Sequence, residues 1–283
     1  MKPILFTFGN GYYIHSGHLT LFLGGLAALV VLALELKRTG ERPEEIYGLL
    51  LLLYVSAILG ARILYCLDFE DKYHYSLLDV LRFWKGGLAL HGGGILAFVT
   101  FVLYVSWRQL DFWRVADLFA PPGAVFVFCA RIGCILTGCC YGKQCGPGFP
   151  LAMTFKEYSA NAPKEVPLYP TQPLFAAAAL VVFVTLWMKR KKKRFDGEIA
   201  LLGTSLFSLF AFLIEFLRGD LRVLYQIGGL TLSQNQIFGA AVFTGVTGIY
   251  VFKRKKAGDS HAIPGVSRAR FDPSGSPEHT LGK

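Results

Sequence analysis

The sequence predicts an all-α membrane protein, a polytopic bundle of about seven transmembrane helices with its N-terminus outside and its C-terminus inside. Three observations predict it. Hydrophobic residues make up 53% of the 283 residues and charged ones only 17%, which places the chain outside the composition of a soluble globular domain. Apolar runs of the length that crosses a bilayer, about 20 residues for about 30 Å of hydrocarbon, recur seven times. The net charge of +10 is carried mainly by basic residues gathered in the connections, a pattern that membrane topology explains better than nucleic-acid binding.

The first run, 18–36, has neither a basic leader nor a small-residue cleavage pattern, so it reads as a retained span and not as a cleaved signal. The second, 46–67, carries Arg62 near its end. The third, 86–106, is interrupted by His91 and Gly92-Gly93-Gly94, and the fourth, 112–137, by Pro121-Pro122. Either of these two is open to being a broken or re-entrant segment enclosed by protein. The fifth, 171–188, runs into six consecutive basic residues at 189–194. The sixth, 197–217, closes on Glu215 and Arg218, and the seventh, 235–252, runs into Lys253, Arg254, Lys255 and Lys256. Residues 1–256 therefore read as one transmembrane domain. The remainder, 257–283, rich in Gly, Pro, Ser and His, has too little apolar surface to fold and reads as a disordered cytoplasmic tail.

The basic residues set the orientation. With the N-terminus outside, the cytoplasmic connections hold Lys37, Arg38, Arg42, Arg108, Arg114 and the runs at 189–194 and 253–256, fifteen in all. The external segments then hold nine: Lys2, Lys72, Arg82, Lys85, Lys143, Lys156, Lys164, Arg218 and Arg222.

Given that orientation, the polar residues within the spans collect at the outer end. They are Arg62, His91, Arg131, Gln172, Glu215 with Arg218, and Gln234 with Asn235. For any one of them an ordinary interfacial position is an equal explanation, but six spans sharing the pattern point to a site. Guanidinium groups grip phosphate oxygens bidentately, and phospholipid headgroups are the obvious anions there. Histidine can exchange a proton near neutral pH, and a carboxylate such as Glu215 either fixes an arginine or serves as a base.

Six cysteines, Cys66, Cys129, Cys134, Cys139, Cys140 and Cys145, are more than such a protein needs, and four of them fall within twelve residues. Cys129 reads as a small apolar packer. For Cys134, Cys139, Cys140 and Cys145 the readings stay open: a structural disulfide at an oxidising face, a metal site lacking the usual paired short spacing, a reactive thiol activated by Arg131, or inert packing.

Five short motifs occur in order along the spans: His91-Gly92-Gly93, Arg131-Ile132-Gly133 continuing to Gly142, Tyr169-Pro170-Thr171-Gln172, Glu215-Phe216-Leu217-Arg218-Gly219-Asp220 and Leu232-Ser233-Gln234. With them the chain resembles the prolipoprotein diacylglyceryl transferases of bacterial inner membranes. The resemblance implies transfer of the diacylglyceryl group of phosphatidylglycerol to the lipobox cysteine thiol of a prolipoprotein, forming a thioether and releasing glycerol 1-phosphate. It implies an extracytoplasmic-facing site in a multi-pass inner-membrane protein, with no cofactor and no metal. Carried over by position, Arg131 contacts the lipid phosphate, His91 handles a proton, and Glu215 and Arg218 shape the headgroup pocket. His91, Arg131 and Glu215 are thus the catalytic candidates, and Arg62, Gln172, Arg218 and Gln234 the substrate-binding ones.

The chain departs from the family pattern at several positions. Cys134 and Cys139 stand three and eight residues after Arg131, where the family shows an asparagine and a glutamate. Ala211 stands where a further arginine is expected, Gly17-His18 near the expected tyrosine of the first span, and Phe175 at an expected glutamate. Arg62 is the candidate replacement for the lost guanidinium. Two alternatives therefore stand beside transfer: the same fold carrying thiol redox or thiol-modifying chemistry at the cysteines, and non-catalytic phospholipid binding. A transport path is disfavoured by how few polar residues the inner halves of the spans carry.

Three further features have ordinary readings. The glycine pairs suit close helix packing. The run at 189–194 is a stop-transfer signal or an anionic-lipid contact, and the loop 139–170 is a lid, a peptide-docking arm or a plain connector.

Overall fold

Among the described residues, seven α-helices follow one another where the apolar runs lie. The computed structural model describes residues 4–8, 12–68, 89–146, 148–155, 162–220, 224–227 and 229–261. The helices are α1 (Ser16–Thr39), α2 (Pro43–Asp68), α3 (Leu90–Trp107), α4 (Phe112–Thr137), α5 (Thr171–Lys189), α6 (Glu198–Glu215) and α7 (Gln234–His261). Six are long and apolar enough to cross a membrane, while α3 offers a shorter apolar stretch, His91–Trp107. Residues 86–88, the predicted start of its span, lie outside the described residues, as do 262–283 of the predicted tail. The last helix itself continues past Lys256 to His261.

Large apolar side chains face outward along these helices, among them Phe22, Val30, Leu51, Tyr54, Ile95, Leu103, Met188 and Phe252. Water would make such a surface costly. Hydrocarbon does not, because each helix satisfies its own backbone and lipid accepts the side chains.

Pro121 and Pro122 do not break the fourth span. They are buried inside an uninterrupted α4, which starts from an Asp111 side chain accepting the Arg114 N–H at 2.8 Å. This helix is central, packing on α1, α5 and α6, and those neighbours hold it where proline alone would kink it.

Small residues set the closest crossings. On α2 and α3, Gly60 and Gly92 are so near that a Cβ on either would strike the carbonyl oxygen of the other, and a Cβ on Gly93 would lie 2.8 Å from the Ala57 oxygen. On α1 and α4, a Cβ on Gly24 would meet Cys129 Cβ at 2.8 Å, which makes Cys129 the packing residue expected of it, and one on Gly133 would strike the Thr20 hydroxyl.

At the predicted cytoplasmic end, Leu32, Leu36, Ile46, Leu49, Val105, Val115 and Leu118 join α1 to α4 in one core. Beside it lie three buried acids that sequence reading passed over, Glu35, Asp117 and Glu198. They account for half of the basic run at 189–194. Lys189 pairs with Glu198 at 2.8 Å, Arg190 with Glu35 at 2.6 Å, and Lys193 with Asp117 at 2.9 Å. Asp117 also accepts the N–H groups of Gly197, Ile199 and Ala200, each at 2.9 Å, and so caps α6 from a neighbouring helix. The Lys193 ammonium is held above its usual range: burial opposes its charge, and hydrogen bonds to Asp196 and Asp117 outweigh that.

Two short hairpins, absent from the sequence reading, precede the first and last helices. Strands β1 (Ile4–Phe8) and β2 (Tyr12–His15) pair antiparallel, as do β3 (Leu224–Ile227) and β4 (Leu230–Ser233). In the second hairpin Leu224 faces Ser233 and Ile227 faces Leu230, with Gly229 at φ +82° making the turn. That register delivers Ser233 and the first turn of α7 to the end of α6.

Candidate active site

The cysteine segment is shaped by how α4 ends. Gly138 takes the left-handed conformation at φ +73° and returns its N–H to the Cys134 carbonyl at 2.9 Å, which stops the helix. Cys140 follows at φ +55°, a conformation that costs a non-glycine residue about 1–3 kcal/mol. These two reversals fold the chain back, so that the sulfurs of Cys134, Cys139 and Cys140 all lie within 4.8 Å of one another. Thr137 Oγ1 is 3.4 Å from Cys139 Sγ. All six cysteines are free thiols. Cys145 stands apart from the three, buried, with its N–H on the Pro167 carbonyl at 2.9 Å.

Three of the sequence motifs meet here in one backbone knot. Thr171 Oγ1 donates to the Cys140 carbonyl at 2.7 Å, and Gln172 Nε2 to the Cys139 carbonyl at 2.9 Å. Gly142 bridges to Arg218, with Lys143 N–H on the Leu217 carbonyl at 2.7 Å and Gly219 N–H on the Tyr141 carbonyl at 3.0 Å. A side chain at Gly142 would collide with Tyr169. Gln172 is completely buried, and its Oε1 has no hydrogen-bond partner. Beyond the knot, the loop is organised around Phe155, Ala162 and Leu168, with Tyr141, Met153 and Val166 packed on them.

The charged candidates divide into saturated and unsaturated groups. Arg218 is saturated: Nη1 reaches both Glu215 oxygens at 3.1 and 3.0 Å, while Nε and Nη2 reach Asp220 at 2.9 and 3.1 Å. Burial works against its charge, and Asp220, Glu215 and the neighbouring Cys140 sulfur outweigh that and raise its proton affinity. Glu215, nearly inaccessible, also accepts from Ser233 Oγ at 3.3 Å and Asn235 Nδ2 at 2.7 Å. Its oxygens are thus occupied by three donors, an arrangement that suits positioning better than proton abstraction.

Arg131 is the contrary case. Its guanidinium lies over the Phe175 ring, 4.2 Å from the centroid, and among the described residues it has no hydrogen-bond or ion-pair partner. Phe175 packs on Ala178 and Ile214, with Ala211 against the same cluster, so Arg131 sits one ring away from the α6 end that carries Glu215. Its charge also acts on the thiols. Hydrogen bonds from Cys134 and Cys140, then the Thr137 hydroxyl and the Arg131 charge, pull the Cys139 thiol well below its usual range against the opposing effect of burial.

His91 meets the ring of Phe238 edge-on, centroids 6.0 Å apart, and Phe238 lies one turn beyond Asn235 on α7. Arg62 is completely buried on α2 with Tyr65 5.6 Å from its guanidinium carbon. The direct contacts therefore join Gln172, Glu215, Arg218, Asn235 and the cysteine loop, with Arg131 reaching them through Phe175 and His91 through Phe238. Gln234 is exposed, while the buried Gln236 accepts the Ser233 N–H at 2.8 Å. Asp220, Ser233 and Thr171, which carry much of this network, were visible only as members of the quoted motifs, because nothing in their residue types marks them out.

The comparisons with known proteins coincide with these features. The prolipoprotein diacylglyceryl transferase family model matches residues 3–252. The chain belongs to the prolipoprotein diacylglyceryl transferase family. Among its relatives, the phosphatidylglycerol–prolipoprotein diacylglyceryl transferase of Clostridium tetani is 30% identical over 255 residues, 89% of this chain and 97% of that one. A second, numbered 2, from Clostridium perfringens is 32% identical over 222 residues, covering 75% and 82%. A third from Methylibium petroleiphilum is 30% identical over 213 residues, covering 75% and 78%. The family match thus reaches into all seven helices, and the knot at the ends of α4 and α6 joins three of the five motifs that first suggested it.

Proposed function

We propose that this protein transfers the diacylglyceryl group of phosphatidylglycerol to the thiol of a prolipoprotein lipobox cysteine, at a site facing the extracytoplasmic side of a bacterial inner membrane. In this reading the N-terminus is outside and the C-terminus inside. The carrying observation is Arg131, an unpaired guanidinium held beside the cysteine loop and the α6 end in a chain of this family.

The chemistry follows from what is unsaturated. Arg131 takes the lipid phosphate bidentately and offsets the charge that grows as glycerol 1-phosphate departs. The lipobox sulfur attacks the glyceryl carbon bearing the phosphate, a C–S bond forms as the C–O bond breaks, and the thiol proton is lost with His91 as its handler. Glu215 and Arg218 act by position, tying α6, the β3–β4 hairpin and the cysteine loop into the wall of the headgroup pocket. Gln172 holds the loop by the Cys139 carbonyl, and Arg62, fully buried on α2, is the candidate for the guanidinium that Ala211 does not supply.

Purified protein reconstituted with phosphatidylglycerol and a lipobox peptide is expected to yield a thioether-linked diacylglyceryl peptide and glycerol 1-phosphate. Headgroup binding without product would leave only phospholipid binding. The three sulfurs within 4.8 Å favour a second reading, thiol redox chemistry on the same fold. It predicts a reversible two-electron oxidation among Cys134, Cys139 and Cys140 and no thioether. For topology, a tag on Lys283 should be reached only from the cytoplasmic side.

A further inference from the structure

We propose that Cys134, Cys139 and Cys140 form a three-thiolate site for a zinc-class divalent cation, whose fourth position takes the sulfur of the incoming lipobox cysteine. The proposal rests on the transfer reading above and adds to it the group that activates the acceptor.

The geometry carries it. Three sulfurs from a helix end and its loop converge within 4.8 Å of one another. Tetrahedral coordination with bonds of about 2.3 Å needs sulfurs about 3.8 Å apart, so side-chain rotation of less than about 1 Å per pair closes the site. The convergence is enforced by the left-handed turn at Gly138, the positive φ of Cys140, and the Thr171 and Gln172 hydrogen bonds to the two loop carbonyls. The positive φ of Cys140 turns its sulfur toward Cys134. Three protein thiolates with an open position is the pattern of a reactive zinc site, while a purely structural site closes with a fourth. Cys129, packed on Gly24, and Cys145, buried elsewhere, lie five residues to either side of the three and do not close it. A dication with three thiolates has a net charge of −1, and the Arg131 charge, which bears on Cys139, offsets it.

The reaction supplies the need. A cysteine thiol is only a few per cent thiolate at neutral pH, and Glu215, already accepting from Arg218, Ser233 and Asn235, is poorly disposed to deprotonate it. A thiol that coordinates a metal is deprotonated outright. The lipobox thiol binds the cation and gives up its proton to His91. Its sulfur then attacks the glyceryl carbon, the C–S bond forms, the C–O bond breaks with its electron pair leaving on glycerol 1-phosphate, and the neutral thioether dissociates from the metal. No oxidation state changes.

The test is cobalt substitution of the full-length protein, purified under reductant and stripped by chelation. One equivalent of Co2+ should give thiolate-to-cobalt charge-transfer absorption, and a lipobox peptide should shift it where the same peptide with serine for cysteine does not. Each of Cys134→Ser, Cys139→Ser and Cys140→Ser should weaken cobalt binding at least tenfold, and Cys66→Ser and Cys145→Ser should leave it unchanged. Metal removal should lower thioether formation at least 100-fold, with zinc restoring it. Substoichiometric cobalt uptake by wild-type protein without the absorption band overturns the proposal, and so does a disulfide among the three cysteines in fully active protein. Full-rate transfer by metal-free protein overturns it while leaving the transfer reading intact. Absence of thioether from metal-loaded protein that shows both the band and the peptide shift overturns the transfer reading and leaves the metal site standing.

Discussion

Replacing Arg131 and Arg218 by methionine separates an arginine that acts on substrate from one that holds the fold. Arg131→Met keeps side-chain length and removes a charge whose one described partner is the Phe175 ring at 4.2 Å. The cation–π contact contributes about 0.5–2 kcal/mol, and removing a charge from a span relieves up to about 2.5–3.5 kcal/mol on the lenient insertion scale, less near the interface. Stability should therefore stay level or rise slightly. The rate should not: a single preorganised charge aimed at a developing anion is worth about 2.7–4 kcal/mol, a 10²–10³-fold loss of transfer.

Arg218→Met reverses both outcomes. It strands Glu215, whose side chain is 4% exposed, and loosens Asp220, which at 23% is partly screened. Breaking the buried half costs about 3 kcal/mol, which at about 2–4 °C per kcal/mol for a chain of this size lowers the melting temperature by about 6–12 °C. Thermal unfolding in detergent and the initial rate of thioether formation from phosphatidylglycerol and a lipobox peptide read the two effects separately. Retention of more than a third of the wild-type rate by Arg131→Met, or a melting loss for it equal to that of Arg218→Met, would refute the division of labour.

Gly92→Val should drive α2 and α3 apart, because a Cβ there strikes the Gly60 carbonyl, at a cost of about 1–3 kcal/mol, while Gly94→Ala, facing open space, should be neutral; equal melting temperatures for the two would contradict this. Asp117→Asn should cost about 2–3 kcal/mol through the α6 cap and the Lys193 pair, yet leave transfer per folded molecule unchanged because it lies at the opposite end of the bundle. A rate loss without a melting change would count against that. Asn235→Ala removes a 2.7 Å hydrogen bond to Glu215 and should lower stability by about 1.5–3 kcal/mol, with Gln234→Ala nearly silent as its exposed control; the reverse ranking would show that Gln234 carries the contact.

The helices were legible because hydrophobic length is a strong, local signal: the described part of each predicted run falls on a helix, and six of these are long and apolar enough to cross a membrane. The hairpins were not, since β3 and β4 are four residues each and carry no long periodic pattern. The proline pair in α4 misled for a related reason: local propensity argues for a break, and packing against three neighbouring helices overrides it. At the site, charge and motif pointed to Arg131, Glu215, Arg218 and Gln172, but not to which of them were already spent on one another. The basic run at 189–194 shows the same limit, since its partners Glu35, Asp117 and Glu198 come from α1, α4 and α6 and no sequence spacing connects them.

That distinction between spent and unspent groups also bears on the cysteine segment. Thr171 and Gln172 grip the carbonyls of Cys140 and Cys139, Gly138 stops the helix by its own backbone, and the Arg218 segment bridges the backbone around Gly142. These ties are made to the main chain of the loop, so they do not depend on which side chains stand at 134, 139 and 140. Exchanging oxygen and nitrogen donors for sulfur there changes what the site can bind while the knot beneath it stays the same. Among the described residues, chemistry at this end of the bundle must then be sought in the Arg131 guanidinium, the buried Gln172 oxygen and the three thiols.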